Sequence, residues 1–155
     1  MRAIRDVEQT VESVYREQGT RLWRAVFAYT GNREVADDAV AEAFTQLLHR
    51  GDEIREADKW VWKVAFRIAA GQLKERGHER PQQEGSYQMP EPALDLMRAL
   101  ARLTPRQRQA IVLHHYADYS VKDVARIVGT SGGAVRVHLS LGRKRLRELL
   151  EDRDG

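Results

Sequence analysis

The run Gly129-Thr130-Ser131-Gly132-Gly133 fits the Gly-x-Ser-x-Gly pattern in which a serine oxygen attacks a carbonyl carbon. That chemistry needs a sharp turn between a strand and a helix, with histidine and acid partners downstream. The sequence around Ser131 supplies no sheet. A short amphipathic segment precedes it, and no strand-like alternation appears anywhere in the chain. The other chemistry open to this serine is a hydrogen bond. Following a helix stop at Gly129, its hydroxyl can cap the next helix by accepting from a backbone N–H of the first turn. At helical spacing the residues that follow divide into two sets. Val135, Leu139, Leu146 and Leu149 form an apolar face, whereas Gly133, Arg136, Ser140, Arg143 and Arg147 fall on a neighbouring arc with Lys144 beside them. Such an arc suits the DNA major groove, its first turn directed at base edges and its later arginines at phosphate.

A second set combines an aromatic with cations. Trp60, Lys63, Arg67 and Lys74 fall within about 60° of arc at 100° per residue, opposite or flanking a stripe of Val61, Val64 and Ile68. An indole beside cations can stack an unpaired base and hold its phosphate. Trp62 and Phe66 lie on the other flank and are expected in the core.

Enzymatic alternatives find little support. The five histidines (His49, His78, His114, His115, His138) have no metal-ligand spacing, and there is no cysteine. No general acid–base pair, phosphate loop or zinc pattern occurs. No catalytic residue, metal or cofactor is assigned, and an enzyme is not expected.

The elements that must position these residues are helices. Hydrophobic residues make up 42% of the 155 and charged residues 32%, the balance of a folded helical chain. Apolar positions recur at three/four spacing in Val7–Tyr29, in Ala36–Leu48 after the Gly31-Asn32 stop and cap, and in Val61–Ala69. The stretch from Gly77 to Pro92 collects Gly, Pro, Gln and Ser without apolar period, as a linker does, and 16 flexible residues would separate its ends by about 20 to 25 Å. Beyond it, Leu94, Met97, Leu100 and Ala101 mark a short helix. Thr104-Pro105-Arg106-Gln107 and Ser120-Val121-Lys122-Asp123 are two capped helix starts, the first running toward Tyr116 and the second stopping at Gly129. The expected fold class is all-α: a helical bundle over 1–76, a flexible linker over 77–92 and a four-helix domain with a helix-turn-helix over 93–155.

Charge favours DNA for the second unit. Residues 1–80 hold 14 basic and 14 acidic side chains, whereas 102–150 hold ten basic against three acidic. That segment is a candidate polyanion binder. The N-terminus has charges throughout and no apolar run, and no stretch is long enough to span a bilayer, so no membrane insertion and a cytoplasmic location are expected.

Taken together, these stretches resemble the extracytoplasmic-function (ECF) sigma factors of the sigma-70 family, the small promoter-recognition subunits of bacterial RNA polymerase. The segment "LTPRQRQAIVLHHYADYSVKDVARIVGTSGGAVRVHLSLGRKRLREL" is similar to the family's fourth region, and "REVADDAVAEAF" with "WVWKVAFRIAA" to its second. The resemblance implies that Asp37, Asp38 and Glu42 dock on the clamp coiled coil of the largest subunit of core RNA polymerase. It implies that Trp60, Lys63, Arg67 and Lys74 hold the melted downstream element of promoter double-stranded DNA. It also implies that Ser131, Gly133, Arg136, Ser140, Arg143, Lys144 and Arg147 read the upstream element. Ala41 and Arg67 stand where the family usually has glutamine and asparagine. An anti-sigma factor is a further possible partner. The alternatives are a stand-alone helix-turn-helix regulator, or a sigma-like interaction protein held by an anti-sigma partner.

Overall fold

In a computed structural model of the chain, residues 2–76 and 89–154 are described. Among them are seven α-helices and no strand. Helix α1 spans Arg2–Thr30 and buries Leu22, Ala25, Val26 and Tyr29. Asn32 starts α2 (Arg33–Arg50): its side chain accepts from the Val35 N–H at 3.1 Å, satisfying one of the donors that a helix start leaves open. A short 3-10 turn, Gly51–Glu53, leads to α3 (Ala57–Glu75). These three helices pack on one another around Val35, Leu47, Val61, Trp62 and Phe66.

Helices α4 (Glu91–Ala101), α5 (Pro105–Ile111), α6 (Val121–Val128) and α7 (Gly132–Asp154) form the second group. Thr104 and Gln107 make the reciprocal capping box that their spacing predicts, with Pro105 in the first turn. The helix expected to run on toward Tyr116 is α-helical only to Ile111. Over Val112–Tyr116 it widens to a π turn, closed by Ala117 N–H on the Val112 carbonyl at 3.1 Å. The wider turn brings His114 Nδ1 to 2.7 Å from the Tyr119 carbonyl, to which it donates. Asp118 follows at φ +61, a left-handed conformation that an aspartate tolerates better than most residues. Ser120 caps α6 by accepting from the Asp123 N–H, and Gly129 ends it at φ +74, where a Cβ would be strained.

Residues 77–88 of the expected 77–92 connection lie outside the described residues, and α4 already begins at Glu91. The helical groups on either side are in direct contact, α3 against α6 and α1 against α5 and the π turn, and their buried side chains form a continuous core. Gln109 Nε2 donates to the Tyr29 hydroxyl at 3.1 Å, and the Arg108 guanidinium lies over the Tyr29 ring, 5.5 Å from its centre. Trp62 meets Tyr119 edge to face at 5.4 Å. Arg21 bonds both the Tyr116 carbonyl and the Asp118 carboxylate, and Lys59 lies 3.6 Å from Asp123.

Candidate nucleic-acid interface

Ser131 is a cap: its Oγ accepts from the Ala134 N–H at 3.1 Å, and a helix, not a strand, precedes it. The 23 residues of α7 extend about 35 Å. Val135 and Leu139 are buried and Leu146 and Leu149 half-buried, as the apolar spacing predicts. They hold α7 against α5 and α6, leaving Gly133, Arg136, Ser140, Arg143, Lys144 and Arg147 exposed. Among the described residues Arg136, Lys144 and Arg147 have no ion-pair partner; Arg145 pairs with Glu148 instead. Arg143 Nη1 approaches His115 Nε2 at 3.5 Å. Burial, His114 and Arg143 together push the His115 pKa down, so its ring stays neutral and can accept from the guanidinium. The arc is thus a row of uncompensated cations along one helix face, the electrostatic requirement for phosphate.

On α3 the buried face is Val61, Trp62, Ala65, Phe66 and Ala69, with Trp62 and Phe66 each only 1% exposed. The expected stripe of Val61, Val64 and Ile68 is rotated, since Val64 and Ile68 lie half-buried at its edge. The two large rings bury more apolar area than the aliphatic pair would, and Trp62 Nε1 finds an acceptor in Gln18 Oε1 at 3.0 Å, so the core forms on their side. Trp60, Lys63, Arg67 and Lys74 remain on the opposite arc. Arg67 and Lys74 are exposed; Trp60 and Lys63 are half-buried. The last two are brought together with Lys59 and with Asp123, Arg126 and Ile127 of α6 in a crevice of about 390 Å³ between the helical groups.

The acidic set on α2 is exposed and unequal. Asp37 already accepts from Trp23 Nε1–H at 2.7 Å, and Glu42 accepts from Gln46 at 3.0 Å. Asp38 makes no hydrogen bond or ion pair among the described residues. Sequence reasoning did not find the junction that joins Tyr29 to Arg108 and Gln109 and Trp62 to Tyr119, because pairs so far apart in the chain leave no periodic signal. It also passed over Val137 and Leu141, apolar positions outside the buried stripe of α7. The signal there was legible, since the two residues stand four apart on the side away from Val135 and Leu139.

Residues 93–146, the second helical group through most of α7, match the family described as sigma-70, region 4. Over 133 residues the chain is 31% identical to the RNA polymerase sigma-E factor of Streptomyces avermitilis, covering 77% of this chain and 73% of that protein. It is 23% identical to the ECF RNA polymerase sigma factor SigE of Mycolicibacterium smegmatis, over 90% of this chain but only 61% of SigE. The sigma factor RpoE of Bartonella quintana, solved with the anti-sigma factor NepR, has the same fold, with a TM-score of 0.74 at 23% identity over 94% of this chain and 97% of that one. The chain belongs to the ECF sigma factors of the sigma-70 family. Among the described residues no helix is long and apolar enough to cross a membrane.

Proposed function

We propose that the chain works as a non-enzymatic specificity subunit in the cytoplasm, binding core RNA polymerase and directing it to promoters. In this reading residues 1–76 dock on polymerase and hold the opened downstream strand. Residues 93–155 read the upstream element, and 77–92 connect the two. Asp38 and Glu42, with Asp37 behind them, face the clamp coiled coil of the largest subunit. Trp60 stacks a base, while Lys63, Arg67 and Lys74 hold phosphates. Ser131 and Gly133 bring the start of α7 close to the groove; Arg136 and Ser140 address base edges, and Arg143, Lys144 and Arg147 the backbone. The observation that carries the reading is the unpaired cationic arc of α7, on a helix capped and seated as the second of a helix-turn-helix.

Reconstitution with core polymerase tests it. The chain should co-elute with core enzyme and support run-off transcription from a selected promoter. A stand-alone regulator would bind DNA without co-eluting. The double change Asp38→Lys, Glu42→Lys should abolish co-elution while leaving the circular dichroism spectrum and DNA binding unchanged, because exposed helix charges contribute at most about 0.5 kcal/mol to stability. Holoenzyme formation at wild-type affinity would place the docking face elsewhere. An anti-sigma factor, the partner named for the Bartonella quintana relative, is proposed as an additional ligand.

A further inference from the structure

Helix α7 carries two large apolar side chains that the described residues leave open, Val137 at 55% exposure and Leu141 at 49%. Neither belongs to the stripe that seats the helix. At 100° per residue, Val137 points within about 10° of the direction opposite the centre of Val135, Leu139, Gly142 and Leu146, and Leu141 about 50° from it. Val137 is therefore at the middle of the outward face. Its neighbours there are Gly133 one turn earlier, which has no side chain to hold a ligand away, and Arg136, Ser140 and Lys144.

The charge of that face selects the occupant. Arg136 and Lys144 lack a carboxylate partner among the described residues, so whatever covers Val137 is anionic around an apolar point. In duplex DNA the major groove supplies one apolar group between its phosphates and polar base edges, the C5-methyl of thymine. Val137 lies in the second turn of α7, within the segment of a recognition helix that enters the groove, and its branched side chain holds its methyls in few rotamers. Leu141 is about 6 Å further along the helix, toward Arg143 and Arg147. We propose that Val137 is a specificity-determining residue that contacts the methyl group of one thymine in the upstream element, a role that rests on reading α7 as the DNA-reading helix.

The test uses the full chain assembled with core polymerase and an upstream element selected from random DNA. Each thymine of the element is replaced singly by deoxyuridine, which keeps every hydrogen-bonding group and lacks only the methyl. One position should weaken wild-type binding about fourfold, the factor for losing one buried carbon from an apolar contact. Val137→Ala should bind the thymine-containing element about fourfold more weakly and no longer distinguish thymine from uracil at that position. Leu141→Ala should keep the full discrimination. If no thymine responds, or if the response persists unchanged in Val137→Ala, the assignment is overturned. Loss of holoenzyme assembly in Val137→Ala would give the face to a protein contact and also overturn it. Arg136→Ala and Arg147→Ala on the same DNA separate the two levels. If they weaken binding while the uracil scan is flat, only the Val137 role fails; if they too have no effect, α7 is not at the groove and the underlying reading fails.

Discussion

Arg136 and Arg147 share one arc of α7 but lie about 16 Å apart along its axis, and that separation assigns them different ligands. Arg136 is one turn from the capped start, within reach of base edges when Gly132 and Gly133 let the duplex approach; Arg147 belongs to the part of the helix that has left the groove floor. Arg136→Ala should therefore relax discrimination among upstream sequences by about 1 to 3 kcal/mol at one position. Arg147→Ala should weaken binding to all sequences alike and lower the slope of log affinity against log salt by about one. Competition binding with randomised elements over a salt series measures both, and equal sequence-independent losses from the two would reverse the assignment. The same reasoning explains Ser131. The Ser131 hydroxyl oxygen accepts from a backbone N–H and makes no hydrogen bond to a histidine or carboxylate among the described residues, so the glycines around it serve the turn and the approach of a ligand, not a nucleophile.

At the scale of elements, the position of the arc depends on how closely α7 lies on α5. A Cβ at Gly142 would stand 3.0 Å from Ile111 Cγ1 and 3.5 Å from Gln107 Cβ, so the glycine lets the two helices pack closely there. Gly142→Leu should force them apart and destabilise the second helical group by about 1 to 3 kcal/mol, overpacking outweighing the gain of about 1 kcal/mol in helix propensity. Urea denaturation gives the loss, and a midpoint equal to wild type would mean that α7 shifts freely on its seat. Much of this architecture was legible in sequence, because its signals are local. The Thr104–Gln107 box, the Ser120 cap, the left-handed Gly129 and the stripe of Val135 and Leu139 all act within a turn or two of themselves. The π turn was not legible, because the contacts that hold its end are tertiary: Arg21 from α1 bonds the Tyr116 carbonyl and Asp118. On α3 the packing of Trp62 and Phe66 was legible, but the stripe was centred too far toward Val64 and Ile68, since the acceptor that lets the indole go fully into the core belongs to Gln18 on another helix. For the candidate site, the cationic arc could be read from spacing alone, whereas the seating of Trp60 and Lys63 beside α6 could not.

For the whole molecule, the junction between the helical groups sets how readily they part. Beside the apolar packing of α3 on α6 and of α1 on α5, it holds one aromatic pair, one hydrogen bond between uncharged side chains, the Arg21 bond to the Tyr116 carbonyl, two ion pairs exposed enough to contribute little, and Arg108. Arg108 is 8% exposed, its Nε has no hydrogen-bond partner, and no carboxylate among the described residues neutralises it; burial pulls its pKa down, partly countered by Tyr29. A buried cation held only by a ring face and a 3.4 Å bond to the Ala101 carbonyl makes this junction weaker than an apolar one of equal area. If the chain binds two promoter elements as proposed, the groups should separate with each keeping its helices. The two tyrosines at the junction make this testable by pH. Burial raises the pKa of Tyr119, with Asp58 adding to the effect, and burial raises that of Tyr29 against the opposing pull of Arg108. A tyrosine whose pKa is higher in the closed form stabilises that form fully below the ordinary value of about 10, and this contribution is lost as pH rises from there toward the raised value. The closed arrangement should thus loosen above about pH 10 before the helices melt, seen as an increase in radius of gyration by solution X-ray scattering at unchanged far-ultraviolet circular dichroism. Tyr119→Phe keeps the edge-to-face contact with Trp62 and cannot ionise, so its expansion should begin at higher pH than in the wild type. Coincident expansion curves for the two proteins would show that Tyr119 ionises as readily in the closed form as in the open one, and that alkali acts at another point of the junction.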